Sequence, residues 1–184
     1  MIKIETIQRF RLGEVDAFEE ILEVESAGLL AYISSFVHSK DAADDIFQES
    51  CLKIWTAHKQ LRDPLQLRSW MFKIARNTVY DFLRKSNLPV VISVLDTELI
   101  ENLSDYRKSP YEEAVNAEWR ELIRIEIDKM DSLTQEIFTL CYLNNMSFSE
   151  ISTTLNLPRG TVCSRICRAL ERIRKSLKAK KINL

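Results

Sequence analysis

The feature that most constrains this chain is segment 147–178, which has the pattern of two helices joined by a tight turn. Ser147 and Glu150 have the S-x-x-E spacing of a capping box, so the first helix is predicted to start at Ser147. Pro158 disfavours helix in the residue before it and suits the first turn of a new helix, which places the turn at Asn156. The segment is therefore predicted to form a helix-turn-helix.

The second of these helices separates apolar from basic residues. Its apolar residues recur at helical spacing and predict a buried stripe of Val162, Ile166, Ala169, Leu170, Ile173 and Leu177. The candidate DNA-contacting residues away from this stripe are Arg159, Thr161, Ser164, Arg165, Arg168, Arg172 and Lys175. Arginine matches guanine edges and phosphates, and small hydroxyls allow close approach, as in a recognition helix in the major groove. The alternative is a solvated basic helix; the agreement of cap, turn, stripe and basic face favours DNA binding.

Composition favours an all-α protein. The 184 residues include only 3 Gly and 4 Pro, and the aliphatic residues recur at helical spacing. The chain lacks the run of about 18 apolar residues that a membrane span needs, and it lacks a signal-peptide pattern, so a cytoplasmic protein without membrane insertion is expected. With no phosphate loop, metal cluster or Ser/His/Asp set in the sequence, we expect no enzymatic activity, no metal site and no cofactor.

The net charge of −1 conceals four blocks of alternating sign. Residues 1–50 carry a net −7, residues 51–86 a net +6, residues 87–150 a net −8 and residues 151–184 a net +8. Such segregation fits a protein that contacts a polyanion at two places and another partner through its acidic faces. The alternative is charge patterning for solubility alone.

The chain is predicted to form two small helical domains joined by a flexible linker. The linker is placed at 88–113, which contains two prolines and no sustained periodicity, leaving domains at 1–87 and 114–184. Helices expected in the second domain span 114–129, 133–143, 147–155 and 159–178. Ser132 and Gln135 predict a capping box for the second of these. In the first domain, one helix is expected to begin at Ala17 and another at Gly28.

A helix over 41–55 begins with an acidic turn that suits the helix dipole. Its predicted core stripe is Ile46, Phe47, Cys51 and Ile54. Its opposite face carries Asp45, Gln48, Glu49 and Leu52. An acidic and amide face around an exposed leucine indicates a partner surface, although many such faces are only solvated.

The next helix, over 67–85, interleaves aromatic and cationic residues. Its predicted inward positions are Met71, Ile74, Thr78 and Phe82. The other side carries Trp70, Lys73, Arg76, Asn77, Tyr80 and Arg84. Rings stack on unpaired bases and cations hold phosphates, so this face is typical of single-stranded DNA binding. Trp70 could serve the core, the DNA or both.

The chain has four cysteines, Cys51, Cys141, Cys163 and Cys167. Cys163 and Cys167 lie one helical turn apart, but two thiolates do not complete a zinc site, which needs four ligands. We expect all four to be small buried residues, with a thiol switch or metal site as the alternative.

The order of these motifs resembles the extracytoplasmic-function class of bacterial RNA polymerase sigma factors. Residues 44–49 with Trp55 are similar to the region 2.2 helix, which in that family binds the coiled coil of the polymerase β′ subunit. Residues 67–77 with Asp81 and Arg84 are similar to regions 2.3 and 2.4, which melt and read the −10 element. Residues 133–174 are similar to region 4.2, which reads the −35 element.

The resemblance implies a role for each candidate residue. The residues implied for polymerase binding are Asp45, Gln48, Glu49, Leu52 and Trp55. Those implied for the −10 element are Arg62, Trp70, Lys73, Arg76, Asn77, Tyr80 and Arg84, with the loop at 60–66 cradling a flipped base. Those implied for the −35 element are Arg159, Thr161, Ser164, Arg165, Arg168, Arg172 and Lys175.

The implied partners are core RNA polymerase, through its β′ and β subunits, promoter DNA and an anti-sigma factor. Two positions depart from the family pattern: Cys163 and Cys167 stand where many members have a basic and a larger residue. The competing interpretation is a helix-turn-helix transcriptional regulator whose first domain is a sensor or dimerisation domain. The second basic block, at 51–86, favours the sigma factor.

Overall fold

The computed structural model describes residues 2–37, 39–92 and 122–179, and every regular element within them is helical. The N-terminal unit, up to residue 92, contains α1 (Ile4–Arg11), α2 (Val15–Ser34), α3 (Lys40–Thr56) and α4 (Leu67–Lys85). The C-terminal unit, from residue 122, contains α5 (122–128), α6 (Ser132–Phe138), α7 (Phe148–Leu155) and α8 (Arg159–Ala179). The all-α prediction is confirmed. Of the helices in these residues, none combines the length and the apolar character that crossing a bilayer requires.

The predicted linker lies outside the described residues from position 93 onward, as does the start of the helix expected at 114–129. Its first residues, 88–92, do not form a helix but pack on the N-terminal unit. The Leu88 amide donates to the Leu83 carbonyl at 3.0 Å, and Ile92 is 1% exposed. Packing against the N-terminal unit therefore continues past residue 87.

Helix α2 is continuous through Gly28, so the prediction of a new helix at Gly28 is wrong. Glycine costs a helix interior up to about 1 kcal/mol relative to alanine, but the tertiary packing of α2 overrides that cost. A Cβ at Gly28 would lie 3.1 Å from Oδ1 of Asn144 in the C-terminal unit. The small residue thus permits a close approach between the two units.

The buried faces of α3 and α4 differ from the predicted stripes. In α3 the buried residues are Ala43, Ile46, Ser50 and Ile54, and the predicted Phe47 and Cys51 are half-buried. In α4 they are Leu67, Ser69, Met71, Phe72, Ala75, Thr78, Val79 and Leu83, whereas Ile74 and Phe82 are half-buried. Helix α4 packs against α2 and α3 on one side and against α7 on another, which widens its buried face.

The capping box of α7 is confirmed. The Ser147 Oγ accepts from the Glu150 amide at 3.3 Å, and the Glu150 Oε2 accepts from the Ser147 amide at 2.8 Å. Asn156 ends the helix in the left-handed conformation, with φ of 54°, and α8 begins at Arg159 as expected. The predicted turn at Asn156 and the predicted start of α8 are thereby confirmed together with the capping box.

The helix before it was predicted less well. Asp131, not Ser132, caps α6: its carboxylate accepts from the Thr134 amide at 3.1 Å and from the Thr134 hydroxyl at 2.8 Å. Helix α6 ends at Phe138 and continues as a π-helical turn over Thr139–Leu143, so the expected single helix at 133–143 is divided. The Asp131 cap prevailed because aspartate caps as well as serine and here gains a second bond from the Thr134 side chain.

The two units are in contact rather than separated. Helix α4 packs on α7, and α2 packs on the π-helical turn. The Thr154 hydroxyl in α7 donates to the Ser69 carbonyl in α4 at 3.3 Å. Arg68 donates to the Asn144 carbonyl at 2.7 Å and to Glu25 at 2.9 Å. This junction covers one side of the basic helix α4.

Candidate nucleic-acid interface

The buried stripe of α8 holds the helix-turn-helix together. Its members Val162, Ile166, Ala169, Ile173 and Leu177 are each at most 7% exposed. Leu170 was predicted in this stripe but is 39% exposed, because it lies at the edge of the face that packs on α6 and α7. The polar residues of α8 consequently face away from the unit's core.

The cations on α8 fall into two groups. Arg165 Nη1 binds both Asp131 carboxylate oxygens at 2.9 Å, Arg172 binds Glu126 at 3.3 Å, and Lys175 binds Glu171 at 2.8 Å. Arg159 and Arg168 are exposed and make no ion pair with any described residue. The first group is held in place by carboxylates, and the second is free to reach for DNA.

Asp131 serves both α6 and α8. Burial opposes its ionisation, but hydrogen bonds from Thr134 and the charge of Arg165 outweigh that effect and hold the pKa of Asp131 below its usual value. Because the carboxylate stays charged, it fixes the Arg165 guanidinium beside the start of α6. Arg165 also donates to the Thr134 hydroxyl at 2.7 Å.

The hydroxyls of the recognition helix are half-buried. Ser164 donates to the Thr161 carbonyl at 3.0 Å. This bond keeps the Ser164 side chain close to the backbone, so the side chain projects little from the helix at this turn. A short projection suits close approach of a DNA strand.

Cys163 and Cys167 are exposed, and the prediction that they are buried is wrong. They occupy the solvent side of α8 because Val162 and Ile166 already fill its buried stripe. Hydrogen bonding and the charge of Cys163, with some burial, raise the pKa of Cys167. Cys51 and Cys141 are half-buried, and burial raises the pKa of each. Within the described residues, no group of three or more potential ligands could hold a metal ion.

The second basic face lies on α4 and the loop before it. Arg62, Lys73, Asn77 and Arg84 are exposed, and Arg84 pairs with Asp81 at 2.8 Å. Trp70 is half-buried and packs on Phe10 with ring centroids 6.3 Å apart. Trp70 therefore packs in part against the core, and part of the residue remains accessible.

Two residues predicted on this face lie at the junction of the units instead of in solvent. The Arg76 Nε donates to Glu136 at 2.7 Å, and the Tyr80 hydroxyl donates to the same carboxylate at 3.1 Å. The Arg76 guanidinium also lies over the Tyr80 ring, 4.4 Å from its centroid. Burial and the charge of Glu136 raise the pKa of Tyr80 to about 12.

Sequence analysis assigned no function to Glu136. Its side chain is completely buried, and its four hydrogen bonds come from Tyr32, Arg76 and Tyr80, which are distant in the sequence. One local feature could have drawn attention to it: a carboxylate flanked by Ile137 and Phe138 in a short, mostly buried helix. A charge in that position needs partners from elsewhere.

The acidic face of α3 is exposed as expected. Asp45, Gln48 and Glu49 are exposed, Leu52 is 62% exposed, and Glu49 pairs with Lys53 at 2.7 Å. Trp55 differs from them because it is half-buried among aromatic rings. Its centroid lies 5.4 Å from Phe18 and 5.4 Å from His58. Part of this ring is therefore covered within the unit.

The loop at 60–66 is braced at both ends. Leu61 is buried, and the Asp63 carboxylate accepts from the Leu65 amide at 3.0 Å. Leu65, in the same loop as Arg62, is 78% exposed, although sequence analysis did not single it out. The loop thus presents one apolar and one cationic side chain to solvent.

The helix-turn-helix carries an unpaired arginine, Arg168, on its outer face. It is joined to a second helical unit that has its own basic helix, α4. Together these features define a two-part DNA-binding protein. The sequence matches the family descriptions Sigma-70 region 2 over residues 25–88 and Sigma-70, region 4 over residues 120–173. These two ranges contain α3 with α4 and the helix-turn-helix, respectively.

Known proteins agree with these matches. The ECF RNA polymerase sigma factor SigW of Bacillus subtilis is 27% identical over 186 residues, covering 97% of this chain and 97% of SigW. The RNA polymerase sigma factor SigV of the same organism is 31% identical over 140 residues, covering 76% of this chain and 78% of SigV. The sigma factor RpoE of Bartonella quintana, solved with the anti-sigma factor NepR, shares the fold with a TM-score of 0.63 at 20% identity, covering 89% of this chain and 98% of RpoE.

The chain belongs to the extracytoplasmic-function group of sigma-70 family RNA polymerase sigma factors. It is a promoter-recognising sigma factor, and the alternative of a regulator with a sensor or dimerisation domain is not favoured. Sigma factors are generally DNA-recognition proteins without enzymatic activity.

Proposed function

We propose that the two units divide promoter recognition, with residues 1–87 as region 2 and residues 114–184 as region 4. Region 2 binds core polymerase through α3 and holds the melted −10 strand on α4. Region 4 reads the −35 element with α8. The observation that carries this division is the arrangement of α8, where Arg168 is exposed and unpaired among the described residues while Arg165 and Arg172 are held by carboxylates.

At the −35 element, Arg168 reads a base edge, because its fork matches O6 and N7 of guanine. Arg165, Arg172 and Lys175 contact phosphates, where exchange of a carboxylate for a phosphate keeps each cation paired. Thr161 and Ser164 line the close approach, and Arg159 contacts the backbone at the start of the helix.

At the −10 element, unpaired bases must be held at a cost of a few kcal/mol. Asn77 is exposed on α4 and hydrogen-bonds a base or its sugar-phosphate. Lys73, Arg76 and Arg84 hold the backbone, and Trp70 and Tyr80 offer rings. The loop at 60–66, with Arg62, cradles a flipped base.

On α3, the exposed face of Asp45, Gln48, Glu49 and Leu52 binds the polymerase β′ subunit, with the accessible part of Trp55 at its border. Region 4 contacts the β subunit. The chain acts in the cytoplasm without membrane insertion, enzymatic activity or a cofactor, because polymerase performs the chemistry. An anti-sigma factor controls it, as expected for a fold shared with a sigma factor that was solved bound to one.

Run-off transcription with core polymerase, followed by mapping of the transcribed promoters, tests the proposal. We expect the chain to direct initiation at a defined set of promoters, and we expect Asn77→Ala holoenzyme to show reduced permanganate reactivity in the −10 region. Gln8→Ala is the matched control, because Gln8 is an exposed amide side chain on α1 and is not among the proposed −10 residues. Wild-type opening by the Asn77 variant at every promoter would remove Asn77 from the −10 site.

A further inference from the structure

The junction between the two units is centred on one carboxylate. Glu136 belongs to α6 and is 0% exposed. Its Oε1 accepts from the Tyr32 hydroxyl at 2.6 Å and from the Arg76 Nε at 2.7 Å, and its Oε2 accepts from the Tyr80 hydroxyl at 3.1 Å. These donors all come from the N-terminal unit. Three side chains of the N-terminal unit therefore bind this carboxylate of the C-terminal unit as they would bind a ligand.

The surrounding contacts keep the units close enough for this carboxylate to be buried. Gly28 gives room for Asn144, whose Oδ1 lies 3.1 Å from the position a Cβ would take. Arg68 bonds to the Asn144 carbonyl, and Thr154 bonds to Ser69. Breaking the junction would expose both polar and apolar surface. We therefore expect its contacts to break together rather than one bond at a time.

Glu136 accepts hydrogen bonds from two side chains, Arg76 and Tyr80, that the −10 strand also needs as donors. A carboxylate and a phosphate both present oxygens that an arginine fork binds, and both take hydroxyl donors. The Arg76 Nε and Nη2 and the single Tyr80 hydroxyl proton cannot bond to Glu136 and to a DNA strand at the same time. The Arg76 guanidinium stacked over the Tyr80 ring also covers the aromatic face on which a base would stack.

Charge favours the same closed arrangement. Residues 51–86 carry a net +6, and the described residues 122–150 carry a net −3, from five acidic and two basic residues. The basic block thus has an internal acidic partner before it meets DNA. Removing Glu136 alone would leave Arg76 half-buried without a counter-charge, a situation that destabilises an interface.

We propose that Glu136 is an internal competitor of promoter DNA: it occupies Arg76 and Tyr80 in the free chain and must leave them before the −10 strand binds. This inference rests on the proposed −10 role of α4. Free chain in the closed state cannot hold the strand, and its apparent affinity falls by the fraction of molecules that are open. Binding to core polymerase selects the open state.

The test compares the full-length free chain with holoenzyme. Fluorescence anisotropy measures binding of a labelled single-stranded oligonucleotide that carries the non-template −10 sequence of a promoter mapped by run-off transcription. Glu136→Gln removes the charge while keeping the side-chain shape. Asp128→Asn removes the same charge from an exposed position on α5 and is the matched control.

We expect free Glu136→Gln to bind the oligonucleotide at least roughly tenfold tighter than wild type, with a larger radius of gyration in small-angle scattering. Asp128→Asn should match wild type in both measurements. In holoenzyme, Glu136→Gln and wild type should open the promoter equally, because the junction is already broken there. Equal affinity of the two free variants, with active holoenzymes, would overturn the competitor role and leave the proposed function intact.

Tyr32→Phe gives an independent second variant. It removes the 2.6 Å hydrogen bond to Glu136 but leaves the proposed −10 residues untouched. We expect tighter oligonucleotide binding here too, by a smaller factor than for Glu136→Gln. A Tyr32→Phe chain as weak as wild type would contradict the competitor role. Loss of initiation by wild-type holoenzyme at every promoter would instead overturn the proposed function, and the competitor role with it.

Discussion

Arg168 and Arg172 lie on the same exposed side of α8 but differ in their surroundings. Arg168 is unpaired among the described residues, and Arg172 is tied to Glu126 at 3.3 Å. The unpaired guanidinium of Arg168 gives up no ion pair when it turns toward a base, whereas that of Arg172 must exchange a carboxylate for a phosphate. At the residue scale, we therefore propose that the partner of a cation distinguishes base recognition from backbone contact.

Arg168→Ala is expected to cost roughly 1–3 kcal/mol of −35 binding and to relax specificity at one position. Arg172→Ala should weaken binding about equally across sequences and make its salt dependence shallower. Binding of both variants to a set of single-base −35 changes, at several salt concentrations, separates the two roles. A uniform loss for Arg168→Ala would show that it does not read a base.

Glu49→Lys should weaken binding to core polymerase, because it reverses charge at the centre of the exposed α3 face. It also places a lysine next to Lys53, which costs a few tenths of a kcal/mol on a helix surface, too little to unfold the protein. Glu19→Lys makes the same charge change at an exposed site on α2 and should leave core affinity unchanged. The affinity of each variant for core polymerase is measured by competition with the wild-type chain. Equal affinities for the two variants would count against the assignment of the α3 face to polymerase binding.

Elements differ in how far the sequence could predict them. The start of α7 and the turn before α8 were predicted because a capping box, an αL residue and a proline act over a few residues. The continuity of α2 through Gly28 was not, because the reason for that glycine is Asn144, in the other unit. The α6 cap was misplaced by one residue because Asp131 and Ser132 compete as caps, and the Thr134 hydroxyl decides between them.

Ser147→Ala should lower the free energy of unfolding by about 1 kcal/mol, since it removes the α7 cap and leaves Glu150 without its hydroxyl donor. Urea denaturation measures the change. Ser149→Ala, two residues on, is the control: Ser149 is exposed inside α7, and its substitution should change stability by less than about 0.5 kcal/mol. Equal losses in the two variants would mean that the capping box does not stabilise the turn.

At the scale of the whole molecule, the sequence predicted two helical units and their separate basic faces, but not how the units meet. Tyr32 and Glu136 are 104 residues apart, and no local pattern links them. The same junction gives a second role to two of the candidate −10 residues. Arg76 and Tyr80 were chosen for their chemistry, and the structure places that chemistry on an internal carboxylate.

The junction should weaken at alkaline pH. Burial, with the charge of Glu136, raises the pKa of Tyr80 from 10.0 to about 12, and burial also raises the pKa of Tyr32 well above 10.0. Arg76 opposes the shift at both tyrosines. Between these values an opened chain has lost protons that the closed chain keeps, so the stability of the closed state falls as pH rises from about 10 toward 12.

Tyrosinate absorbance at 295 nm, taken as the difference between wild type and Tyr80→Phe, follows this titration. We expect the Tyr80 ionisation near pH 12 in the wild type and at lower pH in Glu136→Gln. Scattering measured over the same range should show expansion in step with ionisation. Ionisation of Tyr80 near pH 10 in the compact wild type would contradict its burial against Glu136.

The exposed thiols of Cys163 and Cys167 give the chain two native chemical probes on the solvent side of α8. Cys51 and Cys141 are half-buried, so an alkylating reagent such as iodoacetamide should reach and modify them more slowly. A DNA duplex seated on α8 would shield the two exposed sulfurs. Their alkylation rates, followed by mass spectrometry, therefore report occupancy of the −35 site in the unmodified protein, without an engineered label.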